Sequence, residues 1–274
     1  MDQRLANVRH IALDMDGTIY MGGTILKATL PFLSRLDELG IGYTFLTNNP
    51  AKSVVDYHAH LQRLGIPARP DQLYTSTQAT IECLRERWPQ VRRVFALGTP
   101  SMCEEFARAG FSLAADSPDD EPDAVLVGFD LTLTYSRLCR AAWWLKRGKP
   151  FVATNPDRVC PTDQSTVLVD CGSICAALER ATGRMPDAIL GKPDPRMLRG
   201  ILQRHALQPA ELAMVGDRLY TDMAMARRAG ALGVLVLTGE TTAAGAAQHQ
   251  PPLDLVVADI AEFGEKLAAA RTAR

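Results

Sequence analysis

Two aspartates one residue apart, Asp14 and Asp16, end an apolar run in "IALDMDGTIY" (residues 11–20). Burying a lone carboxylate is costly or shifts its pKa, so a pair at the mouth of a core strand demands a compensating partner. Three further clusters share this form: "TNN" (Thr47, Asn48, Asn49), "GKP" around Lys192, and "GDRLYTD", which carries Asp217 and Asp222. Singly, each fits a structural role: an Asx turn at Asp16, a cap at "TNN", a helix cap at Asp217. Ligands of open parallel sheets, however, bind beyond the carboxyl ends of the strands. If the four clusters lie at such ends, they bring together several carboxylates, one amine and a hydroxyl. Carboxylates gathered this way repel unless a cation joins them. An all-oxygen ligand set points to a hard cation, Mg²⁺, in a site shared with phosphate. The glycines and strand-end amides then bind phosphate oxygens.

The elements that must position these groups alternate along the chain. "HIALDMD" reads as a strand and "TLPFLSRLDELG" as a helix ended by Gly40. "IGYTFLTNN" is the next strand. "SVVDYHAHLQRLG" is the next helix, with Ser53 as N-cap and Gly65 past its end. The middle repeats the pattern with "VRRVFALG", "TPSMCEEFARAG", "AVLVGF", "TYSRLCRAAWWLKRG" and "PFVATN". The acidic stretch "DSPDDEPD" reads as a solvated loop. After "GKPDP" come a helix capped by Asp194 with Pro195 at its first position, the strand "ELAMVGD", the helix "YTDMAMARRAG", and strands in "LGVLVLTG" and "LDLVVAD". This rhythm predicts an α/β protein with a parallel sheet covered by helices. The first and last thirds form one sheet, and the middle third is inserted into it.

Composition narrows the function classes. The chain has 274 residues, 47% hydrophobic and 22% charged, with a formal net charge of -1. No strong field favours nucleic acid or an anionic membrane. No apolar run approaches the roughly 20 residues of a membrane helix, and the polar N-terminus lacks the apolar region of a signal peptide. A cytoplasmic protein is expected. The six cysteines form no C-x-x-C pair and read as reduced thiols. His58 and His60 stand two apart on a helix and face different ways, which argues against a shared metal. Of the adjacent Trp143 and Trp144, one is expected in the core.

The ordered set "DMDGT", "TNN", "GKP" and "GDRLYTD" resembles the haloacid dehalogenase superfamily, and within it the NagD-like phosphatases. The resemblance spans nearly the whole chain. It implies a Rossmann-like core at residues 1–79 and 186–274, with an inserted α/β cap of type IIA at about 80–185. It implies Asp14 as the nucleophile that becomes an aspartyl phosphate, and Asp16 as the acid and base for leaving group and water. Mg²⁺ would be held by Asp14, the Asp16 carbonyl, Asp217 and, directly or through water, Asp222. Thr47, Asn48 and Asn49 would meet the phosphoryl group, and Lys192 would balance its charge.

Two segments of the inserted region are candidates for substrate selection. "TNPDRVCP" offers Asn155, Asp157 and Arg158 at a turn. "VDCGSI" offers Asp170 and Cys171, where this chain departs from the small residues usual in the branch. The expected activity is Mg²⁺-dependent hydrolysis of a small phosphorylated metabolite, a sugar phosphate or a nucleoside monophosphate. A phosphotransferase or phosphomutase, or a non-catalytic binder of phosphorylated metabolites, are the alternatives. A homodimer is a further expectation from the resemblance.

Overall fold

A computed structural model describes residues 1–160 and 165–272. Pro161, the last residue of "TNPDRVCP", lies outside the described residues. The chain divides into two compact units. One comprises Met1–Thr47, His58–Tyr74 and Lys192–Arg274, the other Asn48–Tyr57 and Thr75–Gly191. The insertion therefore starts earlier and ends later than residues 80–185, and a short stretch after Thr47 belongs with it.

A six-stranded sheet runs in the order Leu255–Val257, Leu232–Val236, Leu212–Gly216, His10–Asp14, Gly42–Thr47, Leu73–Thr75. His10–Asp14 is central and pairs in parallel with both neighbours. Its five residues are all buried, as are those of Leu212–Gly216 and Leu232–Val236. Such continuous burial is what a parallel sheet covered on both faces requires. From the central strand the chain proceeds outward on one side through Gly42–Thr47. On the other it proceeds from Leu212–Gly216 through Leu232–Val236. The direction of winding thus reverses between His10–Asp14 and Leu212–Gly216, the place where doubly wound sheets open a crevice at their carboxyl ends.

The second unit holds a five-stranded parallel sheet, ordered Ala188–Ile189, Phe151–Ala153, Ala124–Val127, Arg93–Leu97, Ser112–Leu113. Side chains alternate between its faces. Val94, Ala96, Leu126 and Val152 pack with Met102, Phe106 and Phe111. Phe95, Leu97, Val125, Val127 and Phe151 pack with Trp144, Leu145, Ile174 and Leu178. Trp144 is the core tryptophan, while Trp143 is exposed with the Arg147 guanidinium 4.5 Å over its ring. Thr99, Thr134 and Asp170 cap their helices with side-chain oxygens.

Several local expectations shift. The helix Arg196–His205 has Pro195, not Asp194, at its N-cap, although Asp194 still accepts the Arg196 N–H at 2.8 Å. The acidic "DSPDDEPD" is more than a solvated loop. Asp120 pairs with the Arg93 guanidinium, and Asp123 accepts the N–H groups of Arg92 and Arg93. These carboxylates satisfy the start of an inner strand. The strand Leu73–Thr75 and the helix Ser76–Arg87 add to the elements expected from the apolar pattern. No helix among the described residues is long and apolar enough to cross a membrane.

At the amino end of the central strand, His10 is buried and stacked on His205, with ring centroids 4.1 Å apart. Its Nε2 lies 2.8 Å from the Thr44 hydroxyl. Burial, and secondarily His205, pushes the His10 pKa down to about 3. The unfolded chain therefore binds a proton at this residue between about pH 6.5 and 3 that the folded chain refuses. The stability that neutral His10 contributes is complete above its unfolded pKa and is lost as pH falls toward its folded one. The expected loss by pH 5 is about 2 kcal/mol. Urea denaturation of His10→Gln at pH 7 and pH 5 tests this. The variant should lose less stability than the wild type over that interval by about that amount, and parallel losses would refute it.

Candidate active site

Asp14 is the last residue of the central strand and lies in register with Leu46 of the next one. Thr47 follows directly at the same carboxyl edge. On the other side Leu13 pairs with Val215, so Asp217 emerges just beyond the neighbouring strand. The parallel register thus delivers Asp14, Thr47 and Asp217 to one edge of the sheet. Asp222 returns there because the chain after Asp217 forms a widened π-type turn, Leu219–Met223, before the helix Ala224–Ala229. Such turns recur at functional sites. This one is closed by Asp222 Oδ2, which accepts the Arg218 N–H at 3.1 Å.

Lys192 occupies the centre of these carboxylates. Its ammonium donates to Asp14 and, at 2.7 Å, to Asp222. Lys192, Asp14, Asp217 and Asp222 are all buried. Burial opposes the Lys192 charge, but Asp14 and Asp222 outweigh it and its pKa is raised. Burial pushes the Asp222 carboxyl up to about 7 against the pull of Lys192, with Asp14 and Asp217 adding to the push. Burial, then Asp14, also raises Asp217.

This arrangement fits a divalent cation. Asp14, Asp217 and Asp222 each offer an oxygen, and these atoms lie within 4.8 Å of one another. The three carboxylates outnumber the Lys192 ammonium at their centre, and a divalent ion would offset the excess negative charge. Asp217 Oδ1 is buried with no hydrogen-bond partner. A buried orphan oxygen is costly unless something else binds it. Gly17, at φ +83°, lets the chain pass beside Asp217, for a Cβ there would lie 2.7 Å from Asp217 Oδ2. The Thr18 hydroxyl donates to Asp14 Oδ2 at 3.3 Å. Asp16 is exposed, and its Oδ1 accepts the Gly22 N–H from the hairpin formed by Tyr20–Met21 and Thr24–Ile25. That hairpin was not apparent in the sequence, because its strands are two residues each.

The second unit gathers other candidates. The Asn48 side chain donates to Asp157 Oδ2 at 3.0 Å, and the Asn49 amide lies 3.7 Å from Cys160 Sγ. Asn155 is buried, and its Oδ1 accepts the Asp157 N–H at 2.9 Å. Asn48 and Asn49 and the "TNPDRV" turn, far apart in sequence, therefore share one cluster within the second unit. The turn is fastened to the helix Cys171–Thr182: Gly172 N–H donates to the Asp157 carbonyl, and the Ser173 hydroxyl to the Arg158 carbonyl. Arg158 itself is exposed. Asp170 is turned inward as the cap of that helix, accepting the Cys171 N–H, and burial pushes its carboxyl up to about 6. Cys171, expected among groups that meet substrate, is instead fully buried and its thiol donates to the Val127 carbonyl at 3.1 Å. Core packing removes it from that role. His58 hydrogen-bonds the Ala68 carbonyl, and His60 sits edge-on to Tyr20.

Comparison with known proteins gives a consistent result. A family profile described as haloacid dehalogenase-like hydrolase matches residues 11–112, and one described as HAD-hydrolase-like matches residues 189–263. The ribonucleotide monophosphatase NagD of Escherichia coli is 29% identical over 85% of this chain and 88% of its own. The crystal structure of a 4-nitrophenylphosphatase from Thermotoga maritima superposes with a TM-score of 0.89 at 38% identity, covering 96% of this chain and 98% of that one. A glycerol phosphate phosphatase from Mycobacterium tuberculosis, solved with magnesium, gives 0.85 at 30% identity over 96% of this chain and 77% of that one. The same enzyme was also solved with calcium.

The buried pairing predicts a large effect at Lys192. Lys192→Met leaves Asp14 and Asp222 without their cation. Removing one partner of a buried pair costs about 3–5 kcal/mol. Urea denaturation in EDTA should show a loss of that size, and added Mg²⁺ should recover part of it. A loss below about 1 kcal/mol would contradict the burial and pairing described.

Proposed function

The chain belongs to the haloacid dehalogenase-like hydrolases, and we propose that it is a Mg²⁺-dependent phosphatase of small phosphorylated metabolites that works through an aspartyl phosphate on Asp14. The observation that carries this reading is the buried cluster in which Lys192 joins Asp14 to Asp222 while Asp217 keeps an oxygen without a protein partner. In the first half-reaction an Asp14 oxygen attacks phosphorus, the bond to the alcohol oxygen breaks, and Asp16 gives that oxygen its proton. In the second, Asp16 takes a proton from water, whose oxygen displaces Asp14 and releases phosphate. Lys192 holds Asp14 in place and offsets negative charge as the phosphoryl group arrives. The Thr47 hydroxyl and the Asn48 N–H hold phosphoryl oxygens, with Asn49 supporting that segment. Asp14, Asp217 and the Asp16 carbonyl, with Asp222 behind them, would hold the cation. When bound, Mg²⁺ supplies charge neutralisation and polarisation at the phosphoryl oxygens.

The substrate class follows from two sources. The phosphoryl machinery addresses a group common to all phosphomonoesters, so selection falls to the inserted unit, where Asn155, Asp157 and Arg158 present an amide, a carboxylate and a guanidinium. The relatives named above include a ribonucleotide monophosphatase and a glycerol phosphate phosphatase. A nucleoside monophosphate or a sugar phosphate suits these groups. Release of inorganic phosphate separates hydrolysis from transfer to a second hydroxyl, and turnover of any kind separates it from binding alone. Cytoplasmic operation and pairing of two copies belong to the same reading. Sedimentation velocity tests the pairing.

Asp14→Asn should fold as the wild type and lose turnover; retention of more than a few percent, after deamidation is excluded by mass spectrometry, defeats the nucleophile assignment. Asp16→Asn should lose about 10²–10⁴-fold in kcat, less for aryl phosphates whose leaving group needs no proton. EDTA should abolish activity, Mg²⁺ should restore it, and excess Ca²⁺ should inhibit, because its looser coordination fails the octahedral geometry of the transfer. Full activity in metal-free buffer is the contrary result. For specificity, Arg158→Ala should reorder kcat/KM among natural substrates by about tenfold or more, with little change on 4-nitrophenyl phosphate. A uniform loss across substrates would place Arg158 outside selection.

A further inference from the structure

The turn Thr238–Thr241 belongs to none of the motifs that announced the site, yet it surrounds Asp217. The Glu240 N–H donates to Asp217 Oδ2 at 2.6 Å, and the Thr241 N–H donates to the Asp217 carbonyl at 3.3 Å. A Cβ on Gly239 would lie 2.0 Å from that same Oδ2, so only glycine allows the turn this close. The Thr238 hydroxyl donates to the Gly17 carbonyl at 2.6 Å, which ties the turn to the segment after Asp16. The exposed Glu240 side chain then reaches back to the chain after Asp217. Its Oε2 lies 3.0 Å from Arg218 Nε and accepts the Tyr220 hydroxyl at 3.1 Å. Asp217 is thereby held through one oxygen while Oδ1 has no protein partner.

We propose that Glu240 is a positioning residue for the divalent cation. Its backbone N–H anchors Asp217 Oδ2, and its carboxylate braces Arg218 and Tyr220 against the turn, so that Oδ1 is presented in a fixed direction. A ligand oxygen already held in place loses less freedom when it binds, and groups behind metal ligands commonly set affinity in this way. Glu240 touches no reacting atom, so its effect falls on cation binding and not on the chemical step. The proposal rests on the reading of Asp217 as a ligand.

Isothermal titration of the metal-free protein with Mg²⁺ tests it, using wild type, Glu240→Gln, Glu240→Ala and Asp217→Asn, each shown to be folded by its thermal melt in EDTA. Glu240→Ala should weaken Mg²⁺ about tenfold, while Glu240→Gln, whose amide oxygen still accepts from Arg218 and Tyr220, should stay within about twofold of wild type. At saturating Mg²⁺, Glu240→Ala should keep kcat within about twofold. Wild-type affinity in Glu240→Ala overturns the proposal. Equal weakening in Gln and Ala also overturns it, because that pattern belongs to lost charge and not to bracing. Wild-type affinity in Asp217→Asn instead defeats the underlying ligand assignment. If Glu240→Ala does not fold, Tyr220→Phe reads the same brace: weaker Mg²⁺ binding supports the proposal and unchanged binding overturns it.

Discussion

Like charges brought into a poorly solvated place set the terms for this structure. Asp14, Asp217 and Asp222 are buried together, with the Lys192 ammonium set between Asp14 and Asp222 and the Arg218 guanidinium acting on Asp217. Neither hydrophobic packing nor helix propensity would select that combination. It persists because surrounding elements leave these groups little choice of position. The parallel register fixes Asp14 and Asp217 at neighbouring strand ends, the π-type turn brings Asp222 back, and the turn around Gly239 closes on Asp217. A folded protein that carries such repulsion has stored in its core an affinity for a divalent cation and for the chemistry that cation serves.

The opposite end of the same strand shows a different solution to burial. His10 is kept neutral, stacked on His205 and hydrogen-bonded to Thr44. One five-residue strand therefore ends in a carboxylate paired with the Lys192 ammonium and begins with a titratable group held by desolvation. Loading by a cation and resistance to acid are separate properties of this sheet, governed from its two edges.

Much of this was legible in the sequence. Asp14, Lys192, Asp217 and Asp222 announced themselves because a carboxylate or an amine at the end of an apolar run has few structural explanations, and four such runs have fewer. The strands of both sheets that run to four or more residues carried enough apolar periodicity to be seen. Other features lay below that signal. The two-residue strands that present Gly22 to Asp16 have no period to detect. Glu240 bonds Asp217 through its backbone, and main-chain hydrogen bonds leave no trace in residue type. Cys171 stood in a segment expected to select substrate, but which face of its helix is buried depends on the sheet beneath it. The bond between Asn48 and Asp157 joins positions separated by 109 residues, and proximity of that kind is a property of the fold alone.

A longer separation bears on how the protein is made. Lys192 and Asp14 are 178 residues apart in the chain, and the strand Leu212–Gly216 that flanks His10–Asp14 is translated later still. At about 5–20 residues per second, a ribosome needs roughly ten to forty seconds to deliver Lys192 after Asp14 has emerged. Throughout that interval the nascent central strand lacks a neighbour on one side and exposes unpaired main-chain groups and apolar side chains. The stretch Thr75–Gly191 has no such wait, because the parallel sheet and both apolar clusters it contains are encoded contiguously. The insertion is thus able to fold while the halves of the interrupted sheet are still incomplete, and the window between them is when a chaperone would have most to hold.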